Sequence, residues 1–288
     1  MITCSLTERQ FRRLEEYELS PDVINTESML YIIRRSNSKH LLKRFFITEG
    51  KYFANKLYTL SMLIDEGKSY GIDRLVLPES ICAVDGEIIG YIMPFIENNT
   101  NMGNVLHGYR FTNEQKINYL KEIGKMIQNI THKYHETGFL LGDVHEYNFI
   151  LNHDDNRVYA VDLDGSKVGN NRVMGVKHCD CNRNLKSLTK KYPTEDGYTK
   201  PNINSELLCY SYIVLNTISR ISMERLTIED FYQYLQYLID IGFNKELIDI
   251  FANLYTKKDN YFPLELLDTI PKDFGQAGYK VYEHVKKK

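Results

Sequence analysis

The sequence predicts an α+β chain, with a small antiparallel β-sheet and one helix in its first third and a mainly helical remainder. Three observations predict it. Before residue 96, apolar stretches are joined by short polar or Asp-Gly turns, the pattern of β-hairpins. From residue 112 onward, apolar residues recur at helical spacing. Within that second part, Gly142-Asp143-Val144-His145-Glu146-Tyr147-Asn148 runs into a short hairpin that ends in Val161-Asp162-Leu163-Asp164-Gly165.

In chain order, residues 6–16 read as a short helix capped by Thr7, with Gln10 completing a capping box, and Pro21 ends whatever precedes it. Residues 29–33 and 41–46 read as two strands around the turn formers Ser36-Asn37-Ser38-Lys39. Lys43 sits among apolar residues in the second of them. A lysine there is either a solvated edge charge or an ammonium aimed into a cleft, with Lys39 and Arg44 as competitors for the second role. Residues 51–64 form a helix with Phe53, Leu57, Leu60 and Ile64 on one face and Gly67 near its end. Residues 80–84 and 87–93, joined by Asp85-Gly86, give the strongest hairpin signal and complete a sheet expected to have five strands.

The helical part follows. Thr112 and Gln115 make a capping box, and Ile117, Leu120, Ile123, Ile127, Ile130 and Tyr134 repeat at helical spacing until Gly138. His132 and His135 on that helix read as surface residues. Phe149-Ile150-Leu151 and Val158-Tyr159-Ala160-Val161 are two short strands around the turn residues 152–156. Residues 166–203 are polar, basic and aperiodic, which fits equally a functional loop that receives an acidic or phosphorylated partner and a plain solvated loop. Ser187, Thr189, Tyr192, Thr194 and Tyr198 offer modifiable hydroxyls there. Ser205 caps a helix over residues 206–219 that is apolar nearly all round and must be buried. Thr227 caps the next, which runs through Phe231, Leu235 and Leu238 to Gly242, and residues 246–254 and 263–270 supply shorter ones. Lys286, Lys287 and Lys288 read as a frayed, solvated end.

Composition narrows the function. A chain of 288 residues has room for one large domain or two lobes. A net charge of −2 argues against a general nucleic-acid or membrane-surface binder. No stretch of about 18 uninterrupted apolar residues predicts a membrane-spanning helix, and residues 1–5 carry no signal-peptide pattern. Five scattered cysteines do not predict a disulfide framework, so a reducing, cytoplasmic setting is expected. His178-Cys179-Asp180-Cys181 lacks the second ligand pair that a zinc site needs.

The chemistry concentrates around residues 142–165. Two carboxylates and an amide flank one rigid hairpin, as holding a metal-bound polyphosphate requires. Mg²⁺ accepts few protein oxygens and completes its octahedron with phosphate and water. A further carboxylate facing a hydroxyl can take its proton. The bland alternative is a polar loop of turn-forming Asp and Asn.

The string G-D-x-H-x-x-N, followed by a hydrophobic hairpin and D-x-D-G, resembles the catalytic and metal-binding loops of the protein-kinase-like superfamily, which includes protein kinases and aminoglycoside- or choline-type phosphotransferases. The resemblance implies a bilobal fold, with a nucleotide-binding lobe over residues 1–96 and a helical lobe over residues 97–288. It implies Asp143 as catalytic base, Asn148 and Asp162 as Mg²⁺ ligands, Lys43 on the α/β-phosphates of ATP, and His145 near the γ-phosphate. Adenine would bond to the backbone between the lobes, around Pro94 and Ile96. The chain departs from the family pattern in three places. No glycine occupies residues 22–28, so either Asn25, Thr26 and Ser28 supply donors to the phosphates or nucleotide affinity is weak. Asn55 or Lys56 stands where the helix glutamate that pairs with the strand lysine is expected, leaving Glu49 as substitute. Leu208, with Glu206 nearby, stands where an aspartate would tether the catalytic loop. Asp164 either binds metal or stabilises its loop. The implied activity is transfer of the ATP γ-phosphoryl group to a hydroxyl, on a protein first and on a small alcohol or aminoglycoside second. A pseudokinase-like scaffold is the non-enzymatic alternative.

Overall fold

The structure, a computed structural model, describes residues 3–18, 27–35, 38–169, 194–195, 198–220, 226–253 and 262–287. In chain order these form β1 (Thr3–Leu6), α1 (Glu8–Phe11), β2 (Glu15–Glu16), β3 (Ser28–Arg35), β4 (Ser38–Phe45), α2 (Gly50–Glu66), β5 (Ser80–Val84), β6 (Glu87–Pro94) and β7 (Asn99–Asn101). There follow α3 (Met102–His107), α4 (Asn113–Thr137), β8 (Phe149–Asn152), β9 (Arg157–Ala160) and the two-residue strands β10 (Thr194–Glu195) and β11 (Tyr198–Thr199). The helices α5 (Ile203–Ser219), α6 (Ile228–Asp240), α7 (Lys245–Asn253) and α8 (Phe274–Lys286) complete the set. The α+β class holds. No helix among the described residues is long and apolar enough to cross a membrane.

The first part is a six-stranded sheet in the order β1-β5-β6-β4-β3-β2. It is mixed rather than antiparallel and has one strand more than expected, because β1 lies parallel to β5, with Thr3 opposite Ile81 and Leu6 opposite Val84. Parallel pairing joins segments far apart in sequence and leaves no turn signal to read. The expected helix over residues 6–16 shrinks to the single turn α1. Its capping box of Thr7 and Gln10 forms, but Glu15 and Glu16 pair with Ile32 and Tyr31 instead. At the β5–β6 turn, Asp85 and Gly86 take φ of 47° and 90°, the left-handed pair that such a tight hairpin needs.

Alternation along β4 positions the site. Leu41 and Phe45 face one cluster with Phe53 and Leu60 of α2, while Leu42 faces the opposite cluster with Phe11, Val84 and Ile92. Lys43 shares the parity of Leu41 and Phe45 and points toward α2. Gly90 lies beside it on β6, and a Cβ there would stand 1.8 Å from the Lys43 carbonyl oxygen. Gly90→Ala is therefore expected to force β4 and β6 apart and to cost roughly 3 kcal/mol, read as a lower urea midpoint.

In the second part, α4 starts on the Thr112/Gln115 capping box and stops at Gly138, whose φ of 65° ends the helix. His132 and His135 lie exposed on it. Every residue of α5 from Ser205 to Ser219 is buried. The hydroxyls of Ser211, Thr217 and Ser219 donate to the carbonyls of Leu207, Ile213 and Leu215 one turn earlier, which satisfies them in this apolar setting. The helix α8, which the sequence reading did not assign, buries Phe274, Val281, Tyr282 and Val285, while Lys286 and Lys287 are exposed. The strands β7, β8 and β9 form a separate three-stranded sheet. It is tied to the first part where Ala160 N–H donates to the Arg74 carbonyl and Val76 N–H to the Ala160 carbonyl, both at 2.9 Å.

Candidate active site

Two loops and one strand meet here. The first loop, residues 140–148, follows α4 and leads through a 3-10 turn, Glu146–Asn148, into β8. The second, residues 161–167, leaves β9 through the 3-10 turn Leu163–Gly165. Leu140 and Lys167 exchange backbone hydrogen bonds of 3.0 and 2.9 Å, and Val161 N–H donates to the Asn148 carbonyl at 2.9 Å. Gly142, at φ 78°, lies so close to the second loop that a Cβ would meet the Gly165 oxygen at 2.9 Å. Backbone contact thus fixes each loop against the other.

On the first loop, Asn148 donates its amide to the Asp143 carbonyl at 2.9 Å and to the Asp143 carboxylate at 3.4 Å. The amide oxygen of Asn148 is then its remaining polar atom. His145 Nε2 lies 3.5 Å from Asp143 Oδ2, and its Nδ1 accepts the Tyr147 N–H at 3.2 Å. Burial favours the neutral ring, but the hydrogen bond and charge of Asp143 outweigh it and hold the His145 imidazole above its ordinary pKa.

On the second loop, Asp162 takes the left-handed conformation, φ 60° and ψ 50°, and its carboxylate meets the Lys43 ammonium. Asp164 lies deeper, with its side chain 3% exposed. It accepts Lys43 Nζ on Oδ1 at 3.0 Å and Lys56 Nζ on Oδ2 at 2.7 Å. Lys56 also donates to Glu27 at 3.0 Å, which accepts the Tyr52 hydroxyl at the same distance. Burial alone would raise the Asp164 carboxyl, yet the two lysines and the Asp162 contact hold it well below the usual range. Asp162 is pushed the other way: 41% of its side chain is exposed, but the part that faces the protein loses water and the Asp164 charge adds to this, with Lys43 opposing. The Lys43 and Lys56 ammonium groups, which burial would discharge, are held protonated by these carboxylates.

The buried helix α5 anchors the first loop. Glu206 accepts the Leu141 N–H at 3.0 Å and the Gly142 N–H at 2.9 Å. Removal from water pushes its carboxyl up to about 7, against the pull of those two N–H groups. The tether that the sequence left open at Leu208 is supplied half a turn earlier.

The remaining candidates lie apart from this cluster or take other partners. Glu49 is the exposed N-cap of α2 and is not among the carboxylates bonded to Lys43. Its proposed role passes to Asp162 and Asp164. Ser28 is buried within the sheet opposite Phe45, while Asn25 and Thr26 lie outside the described residues. Pro94 ends β6 opposite His40, and the Ile96 carbonyl accepts the Asn99 side-chain amide at 2.6 Å. The adenine contacts expected from the sequence, the Ile96 N–H as donor and the Pro94 carbonyl as acceptor, are other atoms than this oxygen. The hydroxyls of residues 187, 189 and 192 and the Cys179/Cys181 pair also lie outside the described residues, as do the side chains of Thr194 and Tyr198. Sequence reasoning put Asn55 or Lys56 opposite the strand lysine but missed Glu27 and the bond from Lys56 to Asp164. The buried face of α2 is Phe53, Lys56, Leu60 and Leu63, about one residue round from the expected apolar stripe. No cluster of three His, Cys, Asp or Glu suited to a metal exists among the described residues. An Asp–Asn pair is instead the sparse oxygen set that Mg²⁺ takes from a protein when phosphates supply the rest.

The chain matches no protein-family model and no curated protein.

Proposed function

We propose that the chain is an ATP-dependent phosphotransferase of the protein-kinase-like type, bilobal about residues 96–97, acting in the cytoplasm on a protein Ser or Thr hydroxyl. The observation that carries this reading is the junction of the two loops, which groups Asp143, His145 and Asn148 on one side and Asp162 with Lys43 on the other. Asn148 and Asp162 are the residues that would hold Mg²⁺, which when bound neutralises charge on the β- and γ-phosphates. Lys43 pairs with the α/β-phosphates. Asp143 orients the acceptor hydroxyl and takes its proton as the acceptor oxygen bonds to the γ-phosphorus and the bond to the β-phosphate oxygen breaks, releasing ADP. His145, on the same carboxylate, steadies Asp143 and places a cation near the transferred group. Positioning and charge supply most of the acceleration in such a reaction, so a few fixed groups suffice.

The test is incubation with Mg²⁺ and γ-labelled ATP, alone, with generic protein acceptors and with a panel of small alcohols. Label on protein is expected, and Asp143→Ala should lower it by on the order of 10³-fold. Label on a small alcohol instead would move the acceptor to the aminoglycoside or choline type. Nucleotide-dependent thermal stabilisation without any transfer would replace the enzyme by a nucleotide-binding scaffold, a reading favoured by the engagement of Asp162 with Lys43.

A further inference from the structure

We infer that Asp164 is a positioning residue for Lys43 and that Lys56, on α2, is the counter-ion that lets it act, so that helix and strand are coupled with their charges exchanged. The inference rests on the phosphotransferase reading and adds to it how the lysine is held. The geometry is a line of alternating charge: Asp162, Lys43, Asp164, Lys56, Glu27. Asp164 is at its centre and uses one oxygen for each lysine. The lysine side chains are 8% exposed and that of Asp164 3%, so a charge left alone at any of the three would be costly.

The outer members differ. Asp162 has 41% of its side chain exposed and Glu27 38%, so both ends of the line open to solvent while its middle is closed. When Asp162 turns to a metal ion, Lys43 loses one partner but keeps Asp164, and remains in place with its other donors available to phosphate. Lys56 sets how hard Asp164 pulls. With Lys56 present, that carboxylate is shared between two cations. Without it, Asp164 concentrates on Lys43 and competes with phosphate. Phe45 is placed to support the arrangement, since the Lys56 ammonium lies 5.0 Å and that of Lys43 6.0 Å from its ring centre.

Three variants test this in the full chain. Lys56→Met is expected to raise KM for MgATP about tenfold while kcat at saturating nucleotide stays within about threefold, because the Asp143 side is untouched. Lys56→Arg should restore KM to within about threefold of the parent. Asp164→Asn should raise the Mg²⁺ concentration giving half-maximal rate about tenfold, since Lys43 then falls back on Asp162. Circular dichroism on each variant separates these effects from unfolding. Should Asp164→Asn not fold, the split between KM and kcat in the two Lys56 variants decides. Equal KM in Lys56→Met and the parent, or a fall in kcat with KM unchanged, overturns the inference while leaving the phosphotransferase reading in place. Absence of MgATP binding or turnover in the parent chain overturns both.

Discussion

Asp162→Asn is expected to lower phosphoryl transfer by on the order of 10³-fold or more, with little change in stability. Asparagine keeps the shape of the side chain and tolerates the left-handed backbone found here, φ 60°, whereas alanine would add strain. The substitution removes the charge that meets Lys43, but Lys43 retains Asp164 at 3.0 Å, so no buried ammonium is left alone. On the proposed function, what would be lost is the carboxylate offered to a metal ion. Rates with saturating MgATP and a urea titration of the same preparation check both halves of this expectation. A stable Asp162→Asn protein with parent-like activity would show that the metal is held elsewhere.

The second large effect is expected at Glu206. Glu206→Ala leaves the Leu141 and Gly142 N–H groups buried without their acceptors and should cost roughly 2 to 6 kcal/mol, at about 1 to 3 kcal/mol for each group. It should also loosen the loop that carries Asp143, so activity falls even in the folded fraction. Glu206→Gln keeps an acceptor and gives a pH test. The folded Glu206 carboxyl titrates at about 7 against 4.5 when unfolded, so between those values the folded chain holds the proton more often. Stability from this group is therefore fully present below about pH 4.5, declines as pH rises through 7, and is constant beyond. Over that window the loss is about 3 kcal/mol. The raised His145 contributes in the same direction and the depressed Asp164 in the opposite direction at lower pH, so the comparison to make is parent against Glu206→Gln. Urea midpoints at pH 5 and pH 8 should fall more in the parent than in the variant. Parallel pH profiles would mean that Glu206 is charged in the fold at both values.

Much of this was readable from local sequence. Capping boxes at Thr7, Thr112 and Thr227 form where their spacing places them, because each is a contact between residues three apart. The Asp85-Gly86 hairpin and the short hairpin after Asn148 are local in the same sense. Grouping Asp143 with Asn148 needed no more than one turn of chain. The misses are contacts across long separations. The pairing of β1 with β5 joins residues 3–6 to residues 81–84 and turned an expected antiparallel sheet into a mixed one. The sequence placed Asn55 or Lys56 opposite the strand lysine, but nothing near Lys56 in sequence announces Glu27 or Asp164, the acids that let it be buried. Glu206 took the tethering role because α5 places its first turn, not its second, against Leu141 and Gly142. The helix α8 had a local signal, Phe274, Val281, Tyr282 and Val285 at helical spacing, that the sequence reading passed over.

We propose that Asn148 and Asp162 hold a metal-bound nucleotide in front of Lys43. Calorimetric titration of the parent chain and Asp162→Asn with a non-hydrolysable ATP analogue, with and without Mg²⁺, tests it most directly. Saturable binding that requires Mg²⁺ in the parent, weakened at least about tenfold in Asp162→Asn, is the expected result. Binding equal with and without Mg²⁺, or unaltered by the substitution, would contradict it.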